Sequence, residues 1–86
     1  MATVQIPALL RELTGGTATL QAAGSNLREV LADVVRQQPG LANRVYDAAG
    51  VVPEIMLVVD NVEALGLDTP VGPNSEVLIL PALQGG

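Results

Sequence analysis

Only one segment of this chain of 86 residues carries an apolar stripe of helical length. Leu27, Val30, Leu31, Val34 and Val35 recur at i, i+3, i+4, i+7 and i+8, which puts them on one side of an α-helix. Asn26 precedes the stripe as an N-cap, and Glu29 stands at the capping-box position behind it. Glu29 and Asp33 fall near the start and Arg36 in the last turn, as the helix dipole favours. Pro39-Gly40 stops the helix. The other apolar runs are short. A lone amphipathic helix has to bury its stripe against a sheet, so the pattern predicts a two-layer α+β fold.

The strands follow from period-two runs and turn residues. Residues 3–6 read as a first strand, closed by Pro7. Residues 8–13 are ambiguous: Leu9, Leu10 and Leu13 have helical spacing, but the run ends at once in Thr14-Gly15-Gly16. In residues 17–22, Thr17, Thr19 and Gln21 alternate with Ala18, Leu20 and Ala22, which predicts a half-buried strand that forms an antiparallel hairpin with the first. Residues 41–46 can make one more helical turn, with Gly50 closing the loop behind it. Ile55–Val59 is a β-rich run, Asp60-Asn61 a hairpin turn and Val62-Glu63 its short return. Residues 65–73 read as irregular loop. Residues 76–80 form the last strand, and Pro81 ends it. This order is that of a β-grasp (ubiquitin-like) fold: a mixed sheet packed on one main helix, with the first and last strands parallel at its centre. The expected organisation is a single domain over residues 1–81 and a flexible, extended Gly-Gly tail over residues 82–86.

Composition narrows the function classes. The chain has nine acidic residues against four arginines, no lysine, and a net charge of -5. Nucleic acid and anionic membrane both need basic patches, so neither is an expected partner. A protein with a basic docking surface is the natural complement. The start of the chain lacks the pattern of a signal peptide, and its apolar runs are far too short to span a bilayer. A cytoplasmic protein is the expectation, and the absence of cysteine suits it.

The same composition removes most catalytic groups. Without histidine there is no ordinary general base for neutral pH, and without cysteine or lysine there is no thiolate or Schiff-base nucleophile. Ser25 and Ser75 occupy turn or cap positions, where serine has structural reasons to be. No phosphate-binding glycine motif and no metal-loop spacing is present. What remains is the carboxylate of Gly86. Gly85 and Gly86 put no Cβ near the terminal carbonyl, so residues 82–86 can enter a narrow channel at roughly 3.3–3.6 Å per residue. A carboxylate becomes an acyl donor once adenylation gives it a leaving group. Ile55–Val59 and residues 77–80 are apolar at every position, yet only one sheet face can pack on the helix. The second face is either an open patch for a partner or is covered by residues 8–13 or 41–46.

These pieces resemble the ubiquitin-like sulfur carriers, the MoaD/ThiS-like family. The resemblance rests on Ile6-Pro7-Ala8-Leu9-Leu10-Arg11-Glu12-Leu13-Thr14-Gly15-Gly16, the capped helix, Ile55–Val59 with its Asp60-Asn61 turn, and the ending Ser75-Glu76-Val77-Leu78-Ile79-Leu80-Pro81-Ala82-Leu83-Gln84-Gly85-Gly86. The ending is the most specific piece. The resemblance implies a carrier, not an enzyme. An ATP-dependent adenylating enzyme would activate Gly86, and a sulfur donor protein or sulfide source would convert it to a thiocarboxylate. A client synthase would then take the sulfur. ATP would be used by the partner, with no cofactor bound permanently and no metal. Pro81, Ala82, Leu83, Gln84 and Gly85 would enter the partner's channel, and Leu78, Leu80, Ile55 and Leu57 would form a docking surface. The early Ile-Pro-Ala-Leu-Leu-Arg and Thr-Gly-Gly segments resemble the cysteine-biosynthesis branch (CysO-like), and the lack of any phenylalanine departs from the molybdopterin-type pattern. The alternatives are the small subunit of molybdopterin synthase and a protein modifier joined to target lysines.

Overall fold

The computed structural model describes residues 1–82. Strand β1 (Ala2–Gln5) pairs antiparallel with β2 (Thr19–Ala22), as the sequence predicts. Between them the ambiguous residues wind into a 3-10 helix, Ala8–Thr14, closed by Gly15 in the left-handed region (φ 64°). Helix α1 (Leu27–Gln37) follows, then a short 3-10 turn at Pro39–Leu41.

The predicted extra helical turn over residues 41–46 forms only at its start: the 3-10 turn reaches Leu41, whose carbonyl accepts the Arg44 amide, and the chain leaves helical geometry before Tyr46. Tyr46–Asp47 (β3) and Gly50–Val51 (β4) instead make a two-residue hairpin apart from the main sheet. The Asp47 carboxylate accepts the Ala49 amide, and Gly50 supplies φ 122°, so turn chemistry overrides weak helical spacing. Strand β5 (Ile55–Val59) turns back into β6 (Val62–Ala64), and β7 (Glu76–Pro81) ends the described chain.

The main sheet has the order β2-β1-β7-β5-β6. The first and last strands are parallel neighbours at its centre, Val4 beside Val77, and every other pairing is antiparallel. One face packs on α1. Val4, Leu57, Val77 and Ile79 meet Leu27, Val30, Leu31 and Val34 in one cluster, each at most 1% exposed. Full burial of a leucine such as Leu31 contributes about 1.5–3 kcal/mol. Leu10, Leu41 and Val45 join the same cluster, so both 3-10 segments close the edge of the helix-side core. They approach tightly: a Cβ on Gly40 would lie 2.5 Å from the Leu13 carbonyl oxygen.

The helix start carries the predicted cap with one shift of register. The Asn26 side chain accepts the Glu29 amide at 2.9 Å. The Glu29 carboxylate reaches past Asn26 and accepts both the amide and the hydroxyl of Ser25. Those two bonds, the amide first, hold its pKa below the usual carboxylate value.

Candidate functional site

Strand β7 is the track on which the chain approaches its terminal glycines, and it is pinned at both ends. At its start, the β5–β6 turn places Asp60 (φ 50°) and Asn61 (φ 71°) in the left-handed region, as a type I′ turn requires. Asp60 then faces the residues that open β7. Its carboxylate accepts the Ser75 hydroxyl at 2.6 Å and the Glu76 amide at 2.9 Å. Ser75 in turn accepts the Gly72 amide. The Ser75 hydroxyl, and after it the Glu76 amide, hold Asp60 ionised below the ordinary carboxylate range. Sequence reasoning gave Asp60 a turn role only. Its bond to Ser75 spans 15 positions, and no local pattern signals it.

At the far end the structure corrects the reading that Pro81 ends the strand. Pro81 pairs with Ile55 inside β7, and the Ala82 amide donates to the Glu54 carbonyl at 2.8 Å. Hydrogen-bonded and non-bonded pairs alternate in an antiparallel ladder. Glu54–Ala82 is a bonded pair, so Ile55–Pro81 is a non-bonded one, and the missing proline N–H removes no bond to β5. The predicted channel residues Leu83, Gln84, Gly85 and Gly86 lie outside the described residues.

The predicted docking residues divide between two faces. Ile55 and Leu57 are 6% and 1% exposed and point into the core. They cannot share a surface with Leu78 and Leu80, which are half-buried on the opposite face. Register is the reason: Leu57 pairs with Ile79, while Met56 pairs with Leu80 and Val58 with Leu78. The outer apolar patch is therefore Met56, Val58, Leu78 and Leu80. Period two separates Met56 and Val58 from Ile55 and Leu57 but does not say which set is buried. The 3-10 segments do not cover this patch, because their buried residues belong to the core on the helix side.

Polar residues border the patch. On the β1 side, Gln21 donates to the Thr3 hydroxyl and Thr19 to the Gln5 side chain. On the β6 side, Glu63 stands opposite Val58. The remaining perturbed acid is structural: the Ala23 amide, then Arg36, lower the pKa of Asp33. Among the described residues, no group of acids, histidines or cysteines could hold a metal ion, and no helix is long and apolar enough to cross a membrane. The site can offer a shaped apolar surface beside a firmly anchored strand that leads toward the terminal carboxyl group.

Comparison with known proteins agrees with this layout. Residues 4–86 match the ThiS family. The sulfur carrier protein CysO of Mycobacterium tuberculosis is 33% identical over 98% of this chain and 97% of its own length. Among solved structures, a chain of the Amycolatopsis orientalis BexX/CysO complex superposes with a TM-score of 0.89 at 30% identity, covering 100% of both chains. The crystal structure of Mycobacterium tuberculosis CysO gives a TM-score of 0.87 at 29% identity, over 96% of this chain and 100% of that one. Small archaeal modifier protein 1 from Methanosarcina acetivorans, 24% identical with a TM-score of 0.82, shares the fold. The fold is the β-grasp, the relatives at this level of identity are CysO sulfur carriers, and the chain belongs to the ThiS family.

Proposed function

We propose that this protein is a sulfur carrier whose Gly86 carboxylate is activated and converted to a thiocarboxylate for a biosynthetic client. An ATP-dependent partner enzyme joins the carboxylate to AMP with release of pyrophosphate. A sulfur nucleophile then attacks the acyl carbon, AMP leaves, and the sulfur stays on the carbonyl. The client takes that sulfur for cysteine or another sulfur-containing metabolite. The observation that carries this reading is the ThiS family match, which runs through Gly86 itself. The CysO relatives, matched over nearly their whole length, support cysteine biosynthesis as the branch.

Leu78 and Leu80, with Met56 and Val58 beside them, serve as the docking patch. Strand β7 links this patch to the tail, so a partner seated on it holds the chain end at a fixed distance from its own catalytic groups. The BexX/CysO complex, in which a relative is engaged by a second protein, supports a protein partner for this chain. No group on the chain's own surface has to act as acid or base in this cycle, because activation takes place in the partner.

The test compares the full chain with one ending at Gln84. With ATP and the activating enzyme, the full chain drives pyrophosphate release and the shortened chain does so at least 100-fold more slowly. Equal rates would sink the reading.

A further inference from the structure

The two edges of the main sheet differ in a way that the carrier cycle does not require. An edge strand presents unpaired backbone groups and invites another strand. At the β2 edge the helix side chains answer two of them. Gln37 donates to the Gln21 carbonyl at 2.8 Å, and Asp33 accepts the Ala23 amide at 2.9 Å just beyond the strand. Among the described residues, no side-chain hydrogen bond covers the β6 edge in this way.

Its geometry follows from two bonds on the other side of β5. Asp60 donates to the Glu76 carbonyl and Ala82 to the Glu54 carbonyl, so Glu54, Met56, Val58 and Asp60 turn their backbone groups toward β7. Ile55, Leu57 and Val59 turn theirs toward β6. Val62 and Ala64, which pair with Val59 and Leu57, point back at β5. The N–H and C=O of Glu63 therefore point outward, and Leu65 continues the line with no backbone partner among the described residues. Val62 and Leu65, on either side, are 69% and 92% exposed.

The geometry points to the β6 edge as a site where a partner protein adds an extended strand that carries a lysine or arginine against Glu63. A second copy of this chain is the wrong occupant. Antiparallel self-pairing centred on this position would set Glu63 against Glu63, and like charges directly opposite each other destabilise a strand pair. Glu63 thus excludes the self-complex and selects a basic residue. The exposed Val62 and Leu65 give that strand apolar neighbours. Such main-chain pairing at a sheet edge is an established way for a folded domain to take a peptide.

The experiment titrates the isotope-labelled full chain with a synthetic hexapeptide of alternating valine and lysine, read by amide chemical shifts and hydrogen exchange. The Glu63 and Leu65 amides should shift saturably and exchange at least tenfold more slowly. A valine–glutamate peptide should bind at least tenfold more weakly, and Glu63→Lys, an exposed change that keeps the folded spectrum, should reverse the preference. Glu63→Pro removes the outward N–H at an edge position where proline is tolerated, and it should abolish the protection. Equal binding of both peptides, no saturable shift, or shifts confined to β2 or to Leu78 and Leu80 would overturn the proposal.

Discussion

The Ser75 hydroxyl donates to the Asp60 carboxylate across 2.6 Å, and this bond ties the β5–β6 turn to the first residues of β7. Ser75 is buried at 7% exposure, while Asp60 reaches it from an exposed turn position. Ser75→Ala should cost about 0.5–1.5 kcal/mol, the net range for an intramolecular hydrogen bond. Urea unfolding measures it. The loss should fall on stability, with pyrophosphate release per folded molecule unchanged. A neutral substitution would show that the turn and β7 are held independently.

Asp60, Asp33 and Glu29 all have carboxyl pKa values held below their ordinary range by hydrogen bonds to the folded chain. A depressed folded value means that the unfolded chain takes up protons first as pH falls. The stabilisation is complete above the unfolded values, about 3.9 for Asp and 4.3 for Glu, and drains away as pH falls through the lower folded ones. Thermal melting followed from pH 7 to pH 2 should therefore be flat down to about pH 5 and fall below it. Asp60→Asn should start lower and fall less steeply. With no histidine in the chain, a step between pH 5 and 8 would contradict this.

Val34 is 1% exposed at the centre of the α1 stripe. Val34→Ala should cost on the order of 1–3 kcal/mol in chemical denaturation, while Val35→Ala, at a half-buried position, should cost less. Equal costs would mean that the helix is rotated from the position described.

The division of the two apolar strands between faces predicts a split in phenotype. Leu57→Ala should cost about 2–5 kcal/mol of stability and leave the activation rate of folded protein intact. Leu78→Gln should change stability little and raise the KM of the activating enzyme for this chain at least tenfold. Melting curves and pyrophosphate-release kinetics on the same samples separate the two. An unchanged KM for Leu78→Gln would remove the outer patch from partner docking.

The same residues show how far the sequence can be read. Helix α1 was legible because its stripe, cap and stop agree, and Asn26 caps it as the pattern demands. The parallel centre of the sheet followed from strand order alone. The assignment of Ile55 and Leu57 failed because β5 is apolar at every position, so alternation within it carries no polar mark of which face is buried. Register supplies that mark, setting Val58 against Glu63 of β6 and Leu78 of β7, and register is a long-range property. Tyr46–Asp47 and Gly50–Val51 were missed since two-residue strands are too short to show a period. Pro81 was read as a stop because proline lacks an N–H, but the cost depends on which way that N–H would have pointed.

The central claim is that Gly86 carries the sulfur. Intact mass measured after incubation with ATP, the activating enzyme and a sulfur donor tests it directly, with fragmentation to locate the change. The account predicts a gain equal to one oxygen-to-sulfur exchange, confined to Gly86 and dependent on ATP. An unchanged mass in the presence of an enzyme shown to be active on another carrier would contradict it.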